Sequence, residues 1–380
     1  MADDILERRK RLLQQRLADQ GAAASEPVAA ARRGADPSPL SDAQRRMWFV
    51  QRLDPEDTTL NICVAYRLTG DLDRGKLRSA CAEVVARHEI LRTTYHVDES
   101  GEPYQVCAAD RELSWQEHDL TEQPQAGRQR RVEVLARREF ARPFDLTRDG
   151  ALRATLVRTG ATEHVLILTV HHIGWDDDSW PVFFAEVNAA YRGTGLPELQ
   201  AQYVDVDATR PRNPARDSAD LEYWRDALTP LPSRLELPGR SAGAGSGREA
   251  ETRARALPAD LLTRATAVGR AASATPFMVL LAGFQALIRR YTAATDFLIT
   301  VPVTNRSGRG ADALLGYFGN TVLIRSTPEP EATGRDATFA DLLESTVQSC
   351  TGAFAHQATG IDRVVRAVSP ERVTGRDGLA

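Results

Sequence analysis

The stretch Val165-Leu166-Ile167-Leu168-Thr169-Val170-His171-His172-Ile173-Gly174-Trp175-Asp176-Asp177-Asp178-Ser179 decides how this chain is read. Its opening run of apolar and β-branched residues carries no charge, which predicts a strand buried on both faces at the centre of a sheet. Side chains alternate along a strand, so His172 shares a face with Leu166, Leu168 and Val170, and His171 with Ile167 and Thr169. One imidazole is expected to face a cavity and the other to face packing. Histidines on opposite faces do not readily share a metal ion, and no metal site is expected. A neutral imidazole at a strand end suits proton transfer near neutral pH. The chain then turns through Gly174, and Ser179 is expected to cap a helix over 179–191. The free N–H groups and positive dipole of that helix end suit a developing oxyanion. On these grounds alone, a buried structural pair of histidines and a catalytic imidazole both fit.

Outward from this stretch, strands and helices are mixed. Strands are expected at 62–68, 91–96, 104–107, 152–158 and 164–172, and helices at 41–50, 73–88 and 128–140. A second lobe is expected from 214, with helices at 220–228, 258–272, 275–291 and 339–356 and strands at 297–303 and 319–325. Residues 241–247 read as a Gly/Ser/Ala loop. At the other end, residues 3–19 form a short amphipathic pattern, followed by an Ala/Gly/Ser/Pro-rich linker to about 39. That segment reads either as a helix that docks a partner protein or as a solvated tail. The expected domains are thus 1–38, 39–213 and 214–380.

The 380 residues carry a net charge of −4, which argues against a nucleic-acid binder held by bulk positive charge. The longest apolar runs, 165–170 and 277–284, are too short to span a bilayer. No apolar signal segment follows Met1, and the four cysteines lack Cys-x-x-Cys spacing, so a cytoplasmic protein with reduced thiols is expected. There is no convincing serine nucleophile elbow, Walker-type loop or dinucleotide fingerprint.

Six ordered motifs carry a resemblance. His171-His172-x-x-x-Asp176-x-x-Ser179 resembles the signature of condensation domains of nonribosomal peptide synthetases. Ser41-Asp-Ala-Gln44-Arg-Arg-Met-Trp48 resembles the first motif of that family. Arg87-His-Glu-Ile-Leu-Arg92-Thr-Thr-Tyr95 resembles the second, with tyrosine where phenylalanine is commoner. Gln202-Tyr203-Val-Asp205 resembles the fourth, with Thr209 in place of its later tryptophan. Gly316-Tyr-Phe-Gly-Asn320-Thr321 resembles the fifth, and His356-Gln357 with Ile361-Asp-Arg363-Val the sixth.

The resemblance implies an α/β fold like chloramphenicol acetyltransferase: two lobes with mixed sheets, set in a V around a central tunnel. It implies donor and acceptor peptidyl carrier proteins as partners, each inserting a phosphopantetheine arm, with no cofactor bound by the chain itself. A preceding synthetase enzyme is a candidate partner for residues 1–20; neither nucleic acid nor membrane is expected. His172 matches the catalytic histidine, which takes the proton of the attacking amine or orients it. Asp176 matches a structural aspartate, with Arg306 as its expected partner, and His171 is assigned to packing. Arg92 is expected either to brace the histidine loop or to cap its own strand. Trp175, Trp180 and Asn320 are candidate tunnel residues. Asp177 stands where the family commonly has glycine and places an extra negative charge beside the reaction centre. If the position needs positive φ, aspartate tolerates it less well than glycine.

The family continues past the sixth motif, whereas this sequence stops at Ala380, which implies a second lobe incomplete at its C-terminus with unpaired sheet edges. The histidines exclude a heterocyclization domain, and Ser41–Val50 and Pro181–Phe184 resemble condensation more than epimerization. A recruitment module without catalysis and an acyltransferase using coenzyme A are the alternative functions. The 39–53 region leans toward the subtype with a D-configured donor.

Overall fold

A computed structural model describes residues 36–208, 214–238, 253–306, 310–327 and 338–368. The N-terminal segment read either as a docking helix or as a solvated tail, the 241–247 loop and the chain end after 368 lie outside the described residues.

The described chain forms two compact units. In the first, β1 (Ser38–Pro39), α1 (Asp42–Leu53), β2 (Asn61–Thr69), α2 (Arg74–Arg87), β3 (Thr93–Val97), β4 (Pro103–Cys107), β5 (Ser114–Asp119), α3 (Gln125–Phe140), β6 (Leu152–Arg158), β7 (Glu163–His171), α4 (Ser179–Arg192) and α5 (Tyr203–Ala208) follow in order. The main sheet runs β2-β7-β6-β5, antiparallel except for the parallel β5–β6 pair, and a small sheet runs β1-β4-β3. Asn61 pairs with His171 and Leu152 with Val170, so β7 sits between two partners over residues 164–170.

Local chemistry explains the elements. Ser41 and Gln44 form a reciprocal capping box at the start of α1. The Asp73 carboxylate accepts from the Lys76 N–H to open α2. On β7, Leu166, Leu168 and Val170 pack among Leu77, Val84, Phe183 and Val187 of α2 and α4. Val165 and Ile167, on the other face, pack on Val132 and Leu135 of α3. The run is buried on both sides because helices cover both faces of the sheet.

The second unit contains α6 (Pro214–Leu228), α7 (Leu261–Ala271), α8 (Pro276–Thr292), β8 (Phe297–Thr304), most of β9 (Gly319–Ser326), α9 (Phe339–Ala355) and α10 (Ile361–Val368). Thr275 caps α8 with Pro276 in its first turn, where the missing N–H leaves nothing unsatisfied. Among the described residues its sheet is the pair β8–β9. The core gathers Trp224, Leu228, Met278, Leu281, Ile324 and Cys350. No single described helix is long and apolar enough to cross a membrane.

The two units part after residue 211, not at 213/214, and the second is interrupted. Residues 306–319 belong with the first unit, so the chain leaves the second unit after β8 and re-enters it at β9. Ala311, Leu314, Leu315 and Phe318 lie in the first unit's core together with Trp175 and Tyr203. The local patterns of β5, α5 and α10 are too weak or too short to be read as elements from sequence, and residues 89–92 form a 3-10 turn rather than the start of a strand.

Leu168 is fully buried at the middle of β7. Leu168→Ala should lower unfolding stability by about 3–5 kcal/mol in denaturant titration, since the sheet cannot collapse onto the space left.

Candidate active site

Strand β7 ends at His171. The His172 N–H still donates to the Leu60 carbonyl at 2.9 Å, but residues 172–174 already form a 3-10 turn. His172 therefore leaves the strand alternation, and its face is set by the turn rather than by parity with Leu166 and Leu168. Gly174 makes the turn possible: a Cβ there would lie 2.9 Å from the Ala151 Cβ.

The two imidazoles have opposite hydrogen-bond patterns. His171 is fully buried. Its Nδ1 accepts from the Ile173 N–H at 3.1 Å, so its proton is on Nε2, which donates to Gln51 Oε1 at 3.2 Å. Burial above all, then the neighbouring His172 and Arg153, pushes its pKa down to about 3. His172 is half-buried, and its Nδ1 lies 2.6 Å from the Trp175 carbonyl oxygen. A carbonyl only accepts, so Nδ1 carries the proton and Nε2 keeps its lone pair.

Asp176 follows and is buried. Its Oδ1 accepts from the Arg306 guanidinium at 2.6 Å, the Ser179 hydroxyl at 2.8 Å and the Ser179 N–H at 3.0 Å. Its Oδ2 accepts from the Phe318 N–H at 3.1 Å. Arg306 also donates to the Ala311 and Leu314 carbonyls at 2.9 and 2.7 Å, and its guanidinium lies 4.5 Å from the centre of the Phe318 ring. The Ser179 hydroxyl accepts from the Gly316 N–H at 3.2 Å. One arginine thus ties the loop after His172 to the 306–319 segment.

Several sequence expectations are corrected. Ser179 is not the helix cap; Asp178 holds that position without a side-chain cap bond, and Ser179 is the first helical residue. The Ser179 N–H is taken by the Asp176 carboxylate, the Trp180 N–H by the Asp177 carbonyl, and Pro181 has none, so these first positions offer no open oxyanion site. Asp177 is exposed, and it is not among the described residues with positive φ, so no glycine-like backbone is required there. Arg92 does not brace the histidine loop. Its guanidinium donates to the carbonyls of Val85, Ala86, Ala108 and Ala109, tying the end of α2 to the residues after β4.

Trp175 is wholly buried against Trp180 and Phe183 and is a core aromatic rather than a wall, whereas Trp180 is half-buried and packs on Tyr66 and Phe184 at the edge of that core. Asn320 is buried and has a structural set of bonds. Its amide donates to the Gln357 and Thr359 carbonyls, and its oxygen accepts from the Ile361 N–H, which anchors α10. Among the described residues no cluster could hold a metal ion.

Sequence reasoning missed Tyr317, whose ring meets the His172 ring edge-to-face at 4.9 Å between centroids. It also missed Tyr203, whose hydroxyl donates to the Tyr317 carbonyl at 2.8 Å and meets the Ser41 hydroxyl at 3.1 Å. The available signal was the aromatic pair enclosed by Gly316 and Gly319. A Cβ at Gly316 would run into the Tyr203 ring.

The family model described as the condensation domain matches residues 35–379. Phosphinothricin tripeptide synthetase PhsC of Streptomyces viridochromogenes is 33% identical over 90% of this chain and 32% of its own length. Isonitrile lipopeptide synthase of Mycobacterium tuberculosis is 33% identical over 91% of this chain and 14% of its own length. The chain thus spans a third or less of these curated relatives. The first condensation domain of the calcium-dependent antibiotic synthetase, in complex with a substrate analogue, superposes with a TM-score of 0.72 at 26% identity, over 88% of this chain and 79% of that one. The X-domain from teicoplanin biosynthesis, in complex with OxyB, superposes at 0.77 and 26% identity, over 90% of this chain and 76% of that one. The chain belongs to the condensation-domain family.

Two outcomes test the site's construction. Arg306→Met should cost about 3–5 kcal/mol in chemical denaturation by stranding the Asp176 charge, with Arg306→Lys recovering only part of it. His171 stays neutral in the fold but takes a proton below about 6.5 when unfolded. Its contribution is therefore fully present above 6.5 and lost as pH falls toward 3. His171→Gln should flatten the stability–pH curve in that window by about 1.4 kcal/mol per pH unit, read from urea titrations at stepped pH.

Proposed function

We propose that this chain forms amide bonds in nonribosomal peptide synthesis, as an acyltransferase acting on carrier-bound thioesters. The amine of an acceptor aminoacyl thioester attacks the carbonyl of a donor aminoacyl or peptidyl thioester. The C–N bond forms, the C–S bond breaks, and the donor chain passes to the acceptor. Family membership and synthetase relatives support the reaction class.

The observation that carries the role of His172 is the Nδ1 bond to the Trp175 carbonyl, which leaves Nε2 as an acceptor. His172 Nε2 takes the proton that the amine nitrogen loses and passes it toward the departing thiolate. Asp176 acts on the backbone rather than on the imidazole, because its oxygens are taken by Arg306, Ser179 and Phe318. Donor and acceptor arrive on the phosphopantetheine arms of two carrier proteins, so tethering supplies a large share of the rate. The four free cysteines fit a reducing, cytoplasmic setting.

A recruitment module is the second reading, since the X-domain seen with OxyB shares this fold at the higher TM-score of the two structures above. The free Nε2 of His172 favours catalysis. Two carrier proteins loaded with defined aminoacyl groups, followed by intact-protein mass spectrometry, should give a dipeptidyl thioester on the acceptor. His172→Ala should lower its rate by about a hundredfold or more. Carrier binding without product from either protein would favour recruitment, and product from acyl-coenzyme A alone would favour a free-standing acyltransferase.

A further inference from the structure

We propose that Tyr317 is a positioning residue that holds the His172 imidazole in its working orientation, and that Gly319 is bare to make room for it. The proposal rests on the reading of His172 as the proton acceptor. The tyrosine ring lies edge-to-face with His172, with centroids 4.9 Å apart and planes 74° to one another. It is 8% exposed and packs in one cluster with Met47, Ile173 and Phe144. Its hydroxyl lies 3.5 Å from the Arg46 guanidinium on α1.

The backbone on both sides of Tyr317 is held by the residues that follow His172. The Gly316 N–H donates to the Ser179 hydroxyl, and the Phe318 N–H donates to Asp176 Oδ2. The Tyr203 hydroxyl fixes the Tyr317 carbonyl between them. The Nδ1 bond to Trp175 anchors the imidazole at one atom, about which the ring can still tilt. The tyrosine ring removes that freedom.

Gly319 completes the device. A Cβ there would sit 2.8 Å from Tyr317 Cε2, 2.9 Å from Cζ and 3.0 Å from the hydroxyl oxygen. Any side chain at 319 therefore displaces the tyrosine ring. Tyr317 and Gly319 are a size-coupled pair: a large ring at one position requires none at the other.

The test uses the carrier-protein assay with Tyr317→Leu, Tyr317→Met, Tyr317→Phe, Gly319→Ala and the double variant Tyr317→Leu/Gly319→Ala. Leucine and methionine at 317 should each lower kcat roughly three- to tenfold, the scale of one aromatic edge contact, with KM for the acceptor carrier unchanged. Phenylalanine should restore kcat to within about twofold, since the ring and not the hydroxyl meets the imidazole. Gly319→Ala should lower kcat alone but add nothing to Tyr317→Leu, because the ring it displaces is gone.

Hydrogen exchange of the His172 Nδ1 proton, followed by NMR, reads the same restraint without turnover and should quicken in the leucine, methionine and Gly319→Ala proteins. Unchanged kcat and unchanged exchange in folded Tyr317→Met and Gly319→Ala would overturn the proposal. His172→Ala measured alongside separates the two claims: if it keeps full activity, the reading of His172 fails, whatever Tyr317 does.

Discussion

The ion pair between Arg306 and Asp176 is the contact on which the site depends. Neither group is accessible enough for water to solvate it well, so the pair persists because most of its hydrogen-bonding capacity is met by protein. Asp176 accepts four bonds. Arg306 donates to two carbonyls, lays its flat face on Phe318 and keeps its Nε 3.6 Å from the Asp178 carboxylate. A buried pair of this kind is weak evidence for stability in itself, since two apolar side chains of similar size do as well. What it contributes is register. It fixes the loop after His172 against a segment more than a hundred residues later in sequence, at one position and in one orientation.

That register reaches the histidines through the backbone. With Asp176 and Ser179 held, the Trp175 carbonyl lies where it accepts from His172 Nδ1. The result is two adjacent histidines with opposite protonation sites. His171 is saturated by Gln51 and the Ile173 N–H and kept neutral by burial, whereas His172 is left with one free nitrogen. The same loop residues grip both sides of Tyr317. Imidazole, carbonyl and aromatic ring thus lie in one connected group; on the proposed reading of His172, holding a proton-accepting group in place is what a tethered reaction needs.

Much of this was legible in sequence, for physical reasons. The apolar run at 165–170 reads as a central strand because both its faces meet helices. Ser41, Asp73 and Thr275 mark helix starts because their side chains have N–H groups to accept from. What was not legible depended on side-chain direction across long separations. Strand parity stops at His171, because His172 already stands in a 3-10 turn whose partners, Trp175 and Tyr317, no local pattern reveals. Ser179 has the composition of a cap, but its hydroxyl is engaged with Asp176 and the Gly316 N–H instead of the helix's own N–H groups. Arg92 lies in a motif, yet its donors find carbonyls at 85, 86, 108 and 109 that no local pattern reveals. Trp175 and Asn320 sit beside motif residues but turn inward, and Tyr317 becomes significant only once the chain brings residue 317 to residue 172.

Above all, this framework leaves His172 Nε2 unprotonated and free. The most direct measurement is nitrogen-15 NMR of the histidine rings, with His172 assigned by comparison with His172→Ala, at a pH where the imidazoles are neutral. His172 should carry its proton on Nδ1 while His171 carries it on Nε2. A His172 protonated on Nε2, or exchanging freely between the two nitrogens, would contradict this arrangement.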